Sequence, residues 1–314
     1  MRRYSVFILV LIFLPLLQTG LFSFEWPVTP VRVLTTFGEY RNGSFFKGLE
    51  IDAQEGEIRA IESGKIIFIA EESPPHNGAL PSGLGNSVVV EHERGIRSVY
   101  GYLTGTPEGT DNREVGKDEV LPLSGGSSSG RTLSDGREGE ENSREGEENR
   151  VFYLKILDSE VEQAVNPLLS LPSVDDTQDV GIEAVELVST GNPEKASVPL
   201  GEKSSVEAGE YEIHIEAYDY YDSEDRTFPT APFSFSIYIN GEEEFNIRFE
   251  SITAEELSHT LVGTGGKSAS DLYKDKRRFC PGTLQLNPGE AIIEVVVSDI
   301  AGNETAETYR LNVQ

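Results

Sequence analysis

The chain is poor in the residues that metal chemistry and nucleophilic catalysis draw on. It has one cysteine, one methionine, one tryptophan and four histidines in 314 residues. A single cysteine, Cys280, cannot close an internal disulfide, so stability has to come from buried cores. Positive charge is scarce as well. Lys and Arg number 26 against 54 Asp and Glu, a formal net charge of −28. That balance disfavours nucleic acid and anionic membrane surfaces as partners, because both recruit Lys and Arg. Its simplest consequence is solubility through self-repulsion. Long apolar runs are missing too, apart from Tyr4–Leu17, and that run is short for a spanning helix, which needs about 20 residues. Arg2 and Arg3 precede it, and Gln18 to Gly20 and Ser23 follow it with small or polar side chains. Residues 1–23 therefore read as a secretory signal peptide. No cysteine follows the run, so no lipid attachment site is expected there. The chain is expected to be exported, to the periplasm or cell envelope, with no membrane association after signal cleavage.

What is present is β-rich. Apolar residues make up 37% and aromatics 9%, enough for real cores, and the length suits two domains. From Val31 to Leu103, "VRVLTTF", "GKIIFIA", "NSVVVEH" and "RSVYGYL" are short β-branched and aromatic runs punctuated by Gly, Pro, Asn and Ser. No convincing 3.6-residue apolar period appears in that stretch. Composition changes at Gly125. The acidic, repetitive segment 126–149 has Leu133 as its single apolar residue, and it is expected to stay disordered because it cannot bury enough surface to offset ordering entropy. Strand signal resumes at "VFYLKIL", so the segment reads as an insert within a first domain at 24–173. A second domain, 174–314, alternates strictly. Tyr211, Ile213, Ile215 and Ala217 share one face; so do Phe233, Phe235, Ile237 and Ile239, and then Phe245, Ile247 and Phe249. Asn240-Gly241 supplies a type I′ hairpin turn. This spacing predicts an antiparallel β-sandwich. Thr253 to Arg278 reads as a polar excursion, partly helical at "AEEL".

The first domain resembles the LytM, or M23, family of zinc endopeptidases that cut peptide bridges in bacterial peptidoglycan. The resemblance rests on ordered matches. "TTFGEYR" is similar to the family's FG-x-x-R opening. "GEIRAIESGKI" resembles G-T-P-V-x-A-x-x-x-G-x-V through Ala60 and Gly64, and "GLGNSVVVEH" resembles G-Y-G-N-x-V-x-I-x-H through Gly83, Gly85, Asn86 and His92. "SVYGYL" stands where the family has T-x-Y-x-H-L. "VGKDEVLPLSG" resembles V-x-x-G-D-x-I-G-x-x-G, and "VFYLKI" with "VNPLLSL" stands where the family has H-L-H-F-E-I and V-N-P-x-x-x-L. It covers residues 31 to 172. It implies an all-β protein, with a LytM-like sheet domain of the duplicated-hybrid-motif type followed by a sandwich. The ending "LNPGEAIIEVVVSDIAGNETAE" makes that sandwich look immunoglobulin-like.

The resemblance also implies where a zinc site would stand, and the side chains there are the wrong ones. Three protein ligands and a water make a catalytic zinc site. The ligand positions fall on Phe46, Glu50 and Tyr153. Phe46 has no lone pair, and a phenol with a reference pKa of about 10 is a poor donor near neutrality. The two catalytic histidine positions fall on Tyr102 and Val151. No metal and no cofactor is therefore expected, and the domain reads as a pseudoenzyme. Phe46, Glu50, Tyr100, Tyr102 and Tyr153 are candidates to line the old groove, or else to fill the space left by the metal. Peptidoglycan or a cell-wall hydrolase would be the partner. An active peptidase with an atypical metal site, and a structural or adhesive envelope protein working through the second domain, are the alternatives. His92 reads as structural, and a substitute site from Glu50, His92 and His76 has no support from spacing; Asp219, Asp222 and Asp225 could hold calcium through oxygens but read as a solvated loop.

Overall fold

The computed structural model describes residues 24–53, 57–71, 83–103, 105, 112–124, 151–174, 176, 178–191, 197–201, 203–221, 229–255 and 258–314. The expected signal peptide, the acidic insert, His76, Asp222 and Asp225 lie outside the described residues. The protein is all-β. Among the described residues the one α-helix is the single turn Ala269–Leu272, started by a capping box in which Ser268 and Asp271 exchange side-chain and backbone hydrogen bonds.

A ten-stranded sheet dominates the first half. Its spine is the strand Val151–Asp158. One edge of that strand runs antiparallel to Ile96–Leu103, which continues through Asn86–Glu91 to Gly64–Ala70 and Glu114–Val115. The other edge is divided: Leu49–Asp52 pairs with its beginning and Gln163–Val165 with its end. Val33–Thr35 pairs in turn with Leu49–Asp52. Side chains alternate across the spine, as strand geometry requires. Phe152, Leu154 and Ile156 are buried to 1% exposure or less, against Leu49, Ile51, Val88, Val90 and Tyr100. Val151, Tyr153, Lys155 and Leu157 take the opposite face.

The second half is a two-layer sandwich, with a four-stranded sheet against a five-stranded one. The alternations read from sequence hold except at Phe233, which precedes the strand and stays outside the core, with the Arg248 guanidinium 5.2 Å from its ring. Tyr211, Ile213, Ile215 and Ala217 meet Phe235, Ile237, Ile293, Val295 and Val297 in one core. Asn240 and Gly241 carry φ of 52° and 86°, the left-handed pair that a type I′ turn requires, between Ser234–Ile239 and Glu242–Arg248. One pairing departs from the antiparallel expectation: Lys203–Val206 runs parallel to Glu304–Val313.

The polar excursion is not helical at Ala254 and Glu255. Ser251–Glu255 and Ser258–Leu261 form a hairpin that leaves the sandwich and adds to the first half's sheet, Thr253 standing opposite Gln163. Polarity misled the reading because an outer hairpin needs few apolar residues. Among its described residues, Ile252, Thr260 and Leu261 are the buried ones. Phe37, Phe45 and Ala164 of the first half also enter the sandwich core. The two halves therefore share both a sheet and a core.

Candidate functional site

Phe46 reaches its place through a tight hairpin. Tyr40 and Arg41 pair with Phe45 and Ser44 around Asn42-Gly43, whose φ values of 51° and 81° make the turn. Phe45 points into the sandwich core and Phe46 to the other side. The chain then crosses directly over the spine at Gly48, where a Cβ would lie 2.4 Å from the Leu154 carbonyl oxygen and 2.6 Å from the Tyr153 ring. Only glycine allows that crossing. The strand Leu49–Asp52 follows, and its alternation sends Leu49 and Ile51 to the core and Glu50 to the face of Tyr153, its register partner.

Tyr102 joins them by a break in the pleat. Regular alternation along Ile96–Leu103 would put Tyr100 and Tyr102 on one face. Instead the register slips between Asn86↔Leu103 and Val88↔Tyr100, and Tyr102 takes φ 61°, its N–H donating to the Leu84 carbonyl. A β-bulge of this kind re-aims a side chain. Tyr102 then meets Tyr153, with ring centroids 5.8 Å apart, and Phe46 meets Tyr153 edge to face at 5.5 Å.

Four of the six positions singled out from sequence thus converge: Phe46, Glu50, Tyr102 and Tyr153. Val151 shares their face, half-buried at the start of the spine opposite Asp52. Tyr100 does not belong with them, and its candidacy as a groove residue is corrected. It is fully buried on the opposite face, its hydroxyl accepting from the Ile61 N–H at 2.9 Å and from Ser98 Oγ at 3.2 Å. The groove reading is corrected too. Phe46, Tyr102, Tyr153 and Glu50 are only 5–7% exposed, so they fill the space and offer a ligand almost no surface.

The filling has a charged half that the sequence reading missed. Arg41 holds Glu50 by two parallel bonds, Nη1 to Oε1 at 2.7 Å and Nη2 to Oε2 at 2.8 Å. Its guanidinium lies 4.2 Å from the centroid of the Phe46 ring, in cation–π contact. Thr35 Oγ1 donates a third bond to Glu50 Oε2 at 2.7 Å. A buried carboxylate satisfied in this way is a structural anion. These residues do not fit a zinc ion. Phe46 and Val151 have no donor atom, Glu50 is already bound by a cation, and burial, then Tyr102 and Glu50, push the Tyr153 phenol well above its ordinary range. Tyr153 is therefore neutral.

His92 is structural. Its ring nitrogens stand 2.8 Å from the Ser63 carbonyl oxygen and 2.7 Å from Ser98 Oγ, in the network of Tyr100 and away from Glu50. Asp219 lies beside Asp176 and Asp299, one oxygen of each within 4.8 Å of the others.

Glu39, in the same opening motif as Arg41, carries a pH-dependent contribution. Its Oε1 accepts from the Thr36 N–H at 2.7 Å and Thr36 Oγ1 at 3.1 Å, but burial outweighs these bonds and pushes its carboxyl up to about 7. A raised folded-state pKa favours the folded protein at low pH. The Glu39 contribution is fully present below about 4.5 and lost as pH rises through about 7. Its size is at most ~3 kcal/mol, and less after solvent screening of this half-buried group. Asp219, also raised to about 7, by burial and then Asp299, acts with the same sign. His92 and His259, both held below the usual imidazole value first by burial, act with the opposite sign, so the Glu39 share is read by difference: in urea unfolding between pH 4.5 and 8, Glu39→Gln is expected to lose less stability with rising pH than the native chain. Equal slopes for the two proteins would place Glu39 in solvent.

Comparison with known proteins adds partial likenesses. A protein-family model matches residues 180–314, less than half of the chain. A protein of Treponema pallidum (strain Nichols), itself described only as uncharacterized, is 27% identical over 108 residues, 32% of this chain and 71% of that one. Among solved structures, the SpoIIQ–SpoIIIAH pore-forming complex contains a chain that is 22% identical, with a TM-score of 0.34, covering 48% of this chain and 92% of its own. The catalytic domain of the prophage-encoded M23 protein EnpA from Enterococcus faecalis is 17% identical, with a TM-score of 0.32, covering 47% of this chain and 96% of its own.

Proposed function

We propose that this chain is an exported cell-envelope protein whose first half keeps an M23-type scaffold, has given up hydrolysis, and works by binding. Its partner is peptidoglycan or a cell-wall hydrolase that it regulates. One observation carries the reading. The positions that the LytM pattern assigns to ligands and catalytic histidines come from separate segments, yet Phe46, Glu50, Tyr102 and Tyr153 meet at one place. That convergence supports the M23-type correspondence independently of any single motif. What fills the place supports the loss of chemistry: an aromatic plug and an Arg41–Glu50 pair, with no histidine among the four side chains that meet there. Because the plug is buried, binding is assigned to the surface around it and to the second half, not to the plug's own side chains.

Two assays on the purified mature chain test this. Incubation with isolated peptidoglycan, with zinc added, is expected to release no peptide fragments. Chelator-sensitive release would restore the peptidase reading. Sedimentation with insoluble peptidoglycan is expected to retain the chain; without retention, the partner is a protein, and capture by a purified cell-wall hydrolase becomes the deciding measurement.

A further inference from the structure

On the outer face of the four-stranded sheet, far in sequence from the plug, a carboxylate, an imidazole and the chain's single thiol come together. The alternation that buries Tyr211, Ile213, Ile215 and Ala217 sends Glu212 and His214 to the other face of the strand Gly209–Tyr218. The neighbouring strand Arg278–Leu286 slips register there: Ile213 stands opposite Gly282 but Ile215 opposite Phe279. The slip leaves both Cys280 and Pro281 opposite His214. One donor atom from each of Glu212, His214 and Cys280 lies within 4.8 Å of the other two. His214 and Cys280 are 8% and 4% exposed, so two of the three donors are nearly out of water.

A second carboxylate stands behind the imidazole. His214 Nε2 is 2.9 Å from Glu212 Oε2, while Nδ1 is 3.6 Å from Glu186 Oε1. Glu186 is itself held by Arg278 Nη1 at 3.2 Å. A carboxylate facing the far nitrogen of a histidine is the arrangement that orients the ring in metal sites. We propose that Glu212, His214 and Cys280 bind a borderline-soft divalent cation of the zinc type, with Glu186 positioning the imidazole. Mixed carboxylate, imidazole and thiolate donors suit zinc above magnesium or calcium. At zinc bond lengths the ligand atoms of a tetrahedral site lie about 3.3–3.8 Å apart, within reach of small side-chain movements from this geometry. A water would complete the fourth position.

The cation has a resident competitor. Lys274 Nζ lies 3.1 Å and 2.9 Å from the two Glu212 oxygens. Its side chain is 34% exposed, so it can withdraw into solvent. Binding then forms a metal–sulfur bond, breaks the Cys280 S–H bond with release of the proton to solvent, and exchanges an ammonium for the metal. No oxidation is involved. The proposal is independent of the function assigned above.

Cobalt(II), a spectroscopic stand-in for zinc, is the probe, titrated into the full, untagged, reduced chain. Thiolate ligation gives a near-ultraviolet charge-transfer band, and with one cysteine in the chain that band can arise only at Cys280. It is expected to saturate at one equivalent and to disappear on adding zinc. Cys280→Ser should abolish it with the fold retained by circular dichroism, and His214→Ala should weaken binding at least tenfold. Lys274→Ala should tighten binding at least tenfold, an effect that a purely structural polar network would not produce. Absence of the band in both the native chain and Lys274→Ala overturns the proposal. So does cobalt binding that is unchanged by Cys280→Ser, which would put the ion at another site.

Discussion

Arg41→Ala is expected to destabilise the protein by about 3–5 kcal/mol, far more than a surface ion pair would imply. The reason is the partner left behind. Glu50 is 5% exposed; Arg41 donates two hydrogen bonds to it and Thr35 Oγ1 a third. Without the guanidinium, a carboxylate remains buried against Phe46 and Tyr153 with Thr35 as its remaining donor of those three. Two further variants separate this cost from lost packing. Arg41→Ala with Glu50→Gln is expected to recover a large part of the loss, since the amide needs no counter-charge. Arg41→Met keeps the apolar stem over the Phe46 ring but still strands the charge, so it should stay close to Arg41→Ala. Urea unfolding at pH 7 measures all three. A loss below about 1 kcal/mol for Arg41→Ala would mean that water already solvates Glu50 and that the pair is no more than a surface contact.

The same pair marks the limit of what the site's sequence reveals. The motif "TTFGEYR" points to the right segment, but nothing in the order Phe37, Gly38, Glu39, Tyr40, Arg41 says that Arg41 will fold back nine residues ahead onto Glu50. That contact depends on the Asn42-Gly43 turn and on the register of Leu49–Asp52, both of which are properties of the folded sheet. Tyr102 shows the same limit from the other side. Period-two alternation groups it with Tyr100, and a bulge separates them. A bulge leaves no reliable trace in residue type, since a tyrosine at φ 61° is not what local preference favours. Which positions meet was legible from the motif order. What each of these side chains binds was not.

Alternation was a better guide wherever one face was continuously apolar. In the strand Gly209–Tyr218 the buried face was legible because burial enforces period two, and a slip of one position would turn Ile213 and Ile215 into water. It failed at the hairpin Ser251–Leu261, whose pairing partner lies some ninety residues earlier in sequence, at Gln163–Val165. Its fixed point is a polar side chain: Asn166 donates from Nδ2 to the Phe249 carbonyl at 2.9 Å and from its N–H to the Glu250 carbonyl at 2.8 Å. Local composition says nothing about a strand whose support comes from a distant edge.

Phe249 packs against both halves, and Phe249→Ala is expected to cost about 3–5 kcal/mol. Phe249 is fully buried, with its ring centroid 6.3 Å from Phe45 of the first half and 6.4–6.5 Å from Phe235, Tyr273 and Phe279 of the second. Gly38 packs flat against it: a Cβ there would stand 2.3 Å from the Phe249 ring, at a φ of 91°. Tyr273 closes the contact by donating its hydroxyl to the Gly38 carbonyl at 2.8 Å. Removing the ring takes packing from both halves at once, while removing a residue deep in the sandwich takes it from one. Ile293→Ala, at a fully buried position, serves as the comparison, with an expected loss of about 2–5 kcal/mol. The two should differ in kind. Phe249→Ala is expected to split thermal unfolding into two transitions and to open the segment around Ser251–Leu261 to protease, because the shared core that holds the Asn166 contact in place is lost. Ile293→Ala should lower the stability of the sandwich without opening that segment selectively. A single undivided transition in Phe249→Ala, with protease resistance intact, would mean that the sheet pairing at Gln163–Val165 holds the halves together without the aromatic core.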